Sequence, residues 1–146
     1  MQPTDSERAA ASAFIFAMLI LILVMYVIVS ILLGRIFKKA DVPQWKAWVP
    51  VYNTWTTLAL GNQQGWLALL TLIPVINFVS VIFLYIAMYH IGLKLGKDKS
   101  FVLWALFLPL VWYAWLALDD STWNEAADVS YTLNTPPDNP PTSPAM

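Results

Sequence analysis

The chain has 146 residues, of which 59% are apolar and 12% charged, and its net charge is −1. A typical soluble chain is about 45–50% apolar and about 25% charged, and a domain this short buries only about two-thirds of the surface its unfolded chain exposes. The composition therefore excludes an ordinary soluble enzyme and predicts an all-α, polytopic transmembrane bundle; the absence of Cys excludes a disulfide scaffold or thiolate metal site, and the charge gives no pull toward nucleic acid.

A short tail, residues 1–8, carries Asp5, Glu7 and Arg8 and leads into a transmembrane domain expected over 9–118. Its first segment, 9–34, has no Asp, Glu, Lys or Arg and exceeds the roughly 20 residues a membrane helix needs. A signal peptide would show a basic start and an apolar core of roughly 7–15 residues. This segment is longer, follows acidic residues and ends on Arg35, Lys38 and Lys39, so an uncleaved anchor is expected.

Ala47 to Leu93 is also free of formal charge, and the polar turn Gly61-Asn62-Gln63-Gln64-Gly65 divides it. The longer part, 66–92, is long enough to span with tilt. The shorter part, 45–60, is marginal: it either spans or lies in the interface, with Asn53, Thr56 and Thr57 on one helical face and Val51, Trp55 and Leu58 on another. A last segment is expected over 100–118, capped by Ser100 and bearing Trp104, Trp112 and Trp115 as interfacial rings.

Residues 119–146 hold Asp119, Asp120, Glu125, Asp128 and Asp138, no basic residue, and Pro136, Pro137, Pro140, Pro141 and Pro144 near the end. An acidic, Pro-rich, solvated and disordered tail is expected. Lys and Arg near helix ends stay cytoplasmic. That rule assigns two cytoplasmic clusters, Arg35, Lys38, Lys39 and Lys46, and Lys94, Lys97 and Lys99. Four crossings of the plasma (inner) membrane satisfy both. They place the two termini, the acidic tail and the Gly61–Gly65 turn outside the cytoplasm.

A short internal echo runs through 48–53 (WVPVYN), 72–77 (LIPVIN) and 107–112 (FLPLVW). Pro50, Pro74 and Pro109 are expected to kink their helices and free backbone groups. Asn53 and Asn77 are the amides expected to satisfy those groups. The same positions could instead form a broken-helix site.

These motifs carry a resemblance. Lys38 to Trp45, a basic Pro-containing linker followed by Trp, comes first, then Val49 to Asn53. Gly65-Trp66, Ile73 to Asn77, Leu95-Gly96-Lys97 and Leu108-Pro109 follow in order. Together they resemble an uncharacterised family of small polytopic bacterial membrane proteins that genome annotation often labels signal peptidase I. The resemblance implies a membrane fold and no established activity. Relatives usually close with a Gly-rich turn where this chain has Leu118-Asp119-Asp120-Ser121.

The peptidase label finds no support in the residues. It needs a Ser nucleophile beside a neutral Lys, and the tail has Ser121, Ser130 and Ser143 but no Lys. Ser100 beside Lys99 reads as a helix cap. Gly92 to Asp98 lacks the spacing and the Ser or Thr of a phosphate loop. His90, the single His, reads as an interfacial hydrogen-bonding residue. No catalytic, cofactor or metal site is expected. The expected role is a structural or accessory subunit that packs with itself or a larger membrane complex. The alternative is a small channel or carrier for a neutral solute.

Overall fold

A computed structural model describes residues 2–127; the Pro-rich part of the expected tail lies outside the described residues. Among the described residues there is no strand. Helix α1, Asp5–Lys39, starts at a capping box: the Thr4 side chain accepts from Glu7 N–H, and the Glu7 carboxylate accepts from Thr4 N–H at 2.7 Å. Asp5 and Glu7 in its first turn and Lys38 and Lys39 in its last complement the helix dipole. Its 35 residues reach about 52 Å. Residues 2–25 are exposed throughout, and packing begins only around Tyr26.

The rest of the chain folds as three hairpins against the lower part of α1, here called the basal end. In the first, a 3₁₀ segment, Gln44–Trp48, climbs back along α1, with Gly34 against Gln44 and Ala47. Helix α2, Pro50–Leu60, then descends and sets Leu60 beside Leu33 and Phe37. In the second, a 3₁₀ segment, Gly65–Leu72, climbs and helix α3, Asn77–Lys94, descends, with Leu67 and Ala68 packed on Ala87 and Phe83. In the third, Lys99–Phe101 and helix α4, Val102–Phe107, climb, and helix α5, Pro109–Leu118, descends. The two arms meet through Trp104 on Trp115 (6.4 Å between rings) and Phe101 on Trp115 (5.8 Å). Helix α5 runs in the same sense as α1, since Lys39 at the end of α1 reaches the carbonyls of Leu116 and Asp119 at the end of α5. The main core sits between α1, α3, α4 and α5, at Ile36, Met88, Ile91, Ala105, Trp112 and Leu116.

The segments expected as single helices over 66–92 and 100–118 are therefore each divided, and the prolines mark reversals rather than kinks. The residues preceding them are extended: Val49 (φ −106°, ψ 114°), Ile73 (φ −105°, ψ 109°) and Leu108 (φ −138°, ψ 70°). Proline imposes this on its predecessor and suits the first helical turn, where its missing N–H is no loss. Each descending run then opens with the same hydrogen bond. The N–H three residues after the proline donates to the carbonyl just before it: Asn53 to Val49 (2.8 Å), Asn77 to Ile73 (2.9 Å) and Trp112 to Leu108 (3.1 Å).

The basal stops are equally uniform. Beyond α1, α2 and α3 stand Asp41 (φ 58°), Asn62 (φ 59°) and Gly96 (φ 75°), all left-handed. At each, two bonds close a Schellman motif: Val42 N–H to Phe37 O, Gln63 N–H to Leu58 O and Lys97 N–H to Gly92 O at 2.8–2.9 Å, each beside a second bond one residue inside.

The climbing 3₁₀ arms bond poorly along themselves, and polar side chains complete them. Tyr26 donates its hydroxyl to Trp48 O, Asn53 Nδ2 donates to Ala47 O (3.4 Å), Ser80 Oγ to Leu67 O and Thr71 Oγ1 to Ala68 O (2.6 Å). Asn53 thus bonds the climbing arm of its own hairpin rather than a group freed at a kink. Among the described residues the Asn77 side chain, half-buried near the tip of its hairpin, makes no such bond.

Helices α2 and α3 approach most closely at Gly61, where a Cβ would lie 2.2 Å from Ala87 Cα. The Gly61 backbone (φ −87°) would accept any residue, so the constraint is steric alone. Gly61→Ala is expected to cost about 1–3 kcal/mol by overpacking, read as a lowered thermal midpoint in detergent.

Candidate charged clamp at the basal end

The residues after α5 fold back over the basal end and engage three lysines. The Lys39 ammonium donates to Leu116 O (2.6 Å), Asp119 O (2.7 Å), Asp119 Oδ1 (2.7 Å) and Ser121 Oγ (3.1 Å). It both caps the last carbonyls of α5 and pairs with the first acid beyond it. Lys97 pairs with the other Asp119 oxygen. Ser121 Oγ donates to Asp119 Oδ1 at 2.6 Å. Burial would raise the Asp119 carboxyl, but hydrogen bonds from Lys39, Lys97 and Ser121 outweigh it and hold the group well below the usual carboxylate range.

Lys94, at the end of α3, is 1% exposed. Its ammonium donates to Leu60 O (2.9 Å) and Asn62 Oδ1 (2.8 Å), pairs with Glu125 Oε2 (2.7 Å) and lies 5.4 Å from the centre of the Trp123 ring. Asn124 N–H donates to Lys94 O at 2.8 Å. One lysine thus ties together the α2–α3 turn, the end of α3 and the 123–125 segment. The hydrogen bond from Lys94 holds Glu125 below its ordinary value.

This geometry corrects the expected sidedness. Asp119, Glu125 and Asn62 were placed across a membrane from Lys39, Lys94 and Lys97, yet they are hydrogen-bonded to them. The chain returns at Pro74 and again at Pro109, so every charged connection after α1 meets at one end. Of the other expected anchors, Arg35, Lys38 and Lys99 are exposed and Lys46 is half-buried. Pro50, Pro74 and Pro109 are exposed, Asn53 and Asn77 half-buried, and the five are not brought together in one site. Sequence reasoning missed Asp119, Glu125, Asn62 and Trp123 as partners. The available signal was that acids follow the last apolar segment directly while bases flank the others.

Ser121 and Lys39 stand at hydrogen-bond distance, the spacing of a Ser/Lys pair. Here the ammonium directs its protons at a carboxylate and two carbonyls, and the serine proton goes to Asp119. The arrangement works as an ion-paired clamp. Among the described residues no cluster of His, Cys, Asp and Glu could hold a metal. An open groove runs beside the clamp from Lys97 and Ser100 along Trp104, Phe107, Leu108 and Trp115.

The structure defines an all-α protein in which two helices, α1 and α3, are long and apolar enough to cross a membrane. The chain belongs to the Family of unknown function (DUF5684), whose model matches residues 45–126. That range begins within the first climbing arm and ends just after Glu125, so it takes in nearly all of the three hairpins and the Lys94 clamp and leaves out α1. No curated protein and no solved structure matches the chain.

Two outcomes follow from the clamp. Between the ordinary carboxylate range and the lower native value of Asp119, the unfolded segment binds more protons than the folded one, so stability rises with pH there. The clamp's contribution is complete above about pH 5 and is lost as pH falls through the native value. Tryptophan emission followed on acidification, with Trp123→Phe subtracted to isolate one of the eight tryptophans, should report this opening, and Asp119→Asn should flatten the profile. The second outcome is an asymmetry at Lys94. Its side chain is 2% exposed, against 67% for Glu125. Glu125→Gln takes a counter-charge from a buried cation and should cost about 1–3 kcal/mol. Lys94→Met fills similar volume and leaves Glu125 solvated, so it should cost less. Denaturation of the two variants side by side checks the order.

Proposed function

We propose that this is a structural or accessory protein of the bacterial inner membrane, crossing the bilayer by α1, with its first and third hairpins seated in the cytoplasmic leaflet and the second reaching beyond them. It packs with itself or with a larger membrane complex and carries no catalytic centre. The observation that carries this reading is the gradient along α1. From Phe14 to Val24 nearly every large apolar side chain is about half exposed or more, whereas Ser30 to Phe37 is packed against the hairpins. Exposed apolar surface of that extent calls for lipid. The hairpin tips agree with it: Val75 is 85% exposed and Phe78 and Phe107 75%. Most of the polar groups within the hairpins are directed at the chain's own backbone, which suits packing better than chemistry.

In this reading the N-terminus is extracytoplasmic and residues 119–127 are cytoplasmic. A small channel or carrier for a neutral solute is the second reading, favoured by Asn77, a half-buried amide at the tip of the longest hairpin. The chain has no Cys of its own, so single-cysteine variants report cleanly. A membrane-impermeant thiol reagent on intact cells should label Ser6→Cys and spare Ala40→Cys, Gln63→Cys and Thr122→Cys alike. Labelling of Gln63→Cys or Thr122→Cys would overturn the hairpin arrangement. Proteins retained through gentle purification, identified by mass spectrometry, would support the accessory role; solute flux through liposomes holding this protein alone would favour the carrier.

A further inference from the structure

We infer that the protein is a leaflet-selective wedge whose lipid partner is a positively curved monolayer on its basal side. The inference rests on the membrane reading above and adds a shape to it. At the basal end α1 is accompanied by α2, α3, α4, α5 and two climbing 3₁₀ arms. That crowd ends near Tyr26, 13 residues above Lys39, or about 20 Å along the helix. Helix α2, with 11 residues, and α5, with 10, reach only about 15–16 Å, half of a hydrocarbon core of about 30 Å. Beyond them only α1, over residues 5–25, and the upper part of the second hairpin around Pro74 continue.

The cross-section is therefore several helices wide in one leaflet and narrower in the other. Burial along α3 follows the same taper: Phe78, Val79 and Ile82 are exposed, whereas Ala87 to Lys94 are largely buried. The clamp makes the wide end rigid, because Asp119 joins the base of the third hairpin to α1 and Lys94 joins the second hairpin to the segment that follows. A rigid body of that profile displaces more lipid from one monolayer than from the other. Its insertion costs least where that monolayer already bends away.

The test reconstitutes the full chain, labelled at Thr122→Cys, into a mixture of small sonicated and large extruded vesicles of one lipid composition, with an unrelated single-span helix as reference. The expected result is a severalfold higher protein density on the small vesicles than the reference shows. In those vesicles the label at Thr122→Cys should be predominantly open to an outside, membrane-impermeant quencher, since the wide end belongs in the convex outer leaflet. Equal density and unbiased orientation in both vesicle sizes would overturn the wedge while leaving the membrane reading intact. Failure to float with vesicles of either size would overturn the membrane reading and the wedge with it.

Discussion

A chain that reverses direction inside apolar surroundings must satisfy its own backbone at every turn, and that constraint shapes this molecule more than any side-chain packing does. Each reversal frees N–H and carbonyl groups that would cost roughly 2–7 kcal/mol apiece if left bare among apolar groups. The chain answers with two devices used three times each. A proline with an extended predecessor opens a descending run, and a Schellman turn with a left-handed residue closes the helix before the next climb. The climbing arms, which are 3₁₀ or short, are completed by hydroxyls and one amide from the neighbouring descending helices or from α1.

Much of this was legible in the sequence, and the part that was misread has a definite cause. The α1 span, the basic flanks and the polar turn at Gly61–Gly65 were all readable from charge and hydropathy. The six-residue echo around Pro50, Pro74 and Pro109 was readable too, but its meaning was not. A proline in an apolar run is compatible with a kinked span or with a reversal, and hydropathy has the same value for both. What distinguishes them is whether the two arms pack on one another, as Trp104 and Trp115 do, and that is a long-range fact. Reading two reversals as crossings separates Asp119 and Asn62 from the lysines to which they are bonded.

The clamp was hidden by the same step. Its acids were visible, but acids placed across a membrane are not candidates for pairing with Lys39, Lys94 and Lys97. The family boundary is informative in retrospect: the matched region runs past the last apolar segment to residue 126, so the 119–125 segment belongs with the hairpins rather than with the tail beyond. Lys94 shows why. A lysine that is 1% exposed requires acceptors, and the α2–α3 turn supplies two while Glu125 supplies the counter-charge.

The position of that counter-charge also sets an order of assembly. Glu125 and Asp119 are among the last described residues to leave the ribosome, long after α1 and the first two hairpins have been synthesised. Neither arm of the α4–α5 hairpin is long enough to be retained in a bilayer as an independent helix. Both halves of the clamp therefore close only after α1 and the first two hairpins have been synthesised. A chain ending before residue 119 would lack the two acids that Lys39 and Lys94 hold here, so the basal end would be joined by hairpin packing alone.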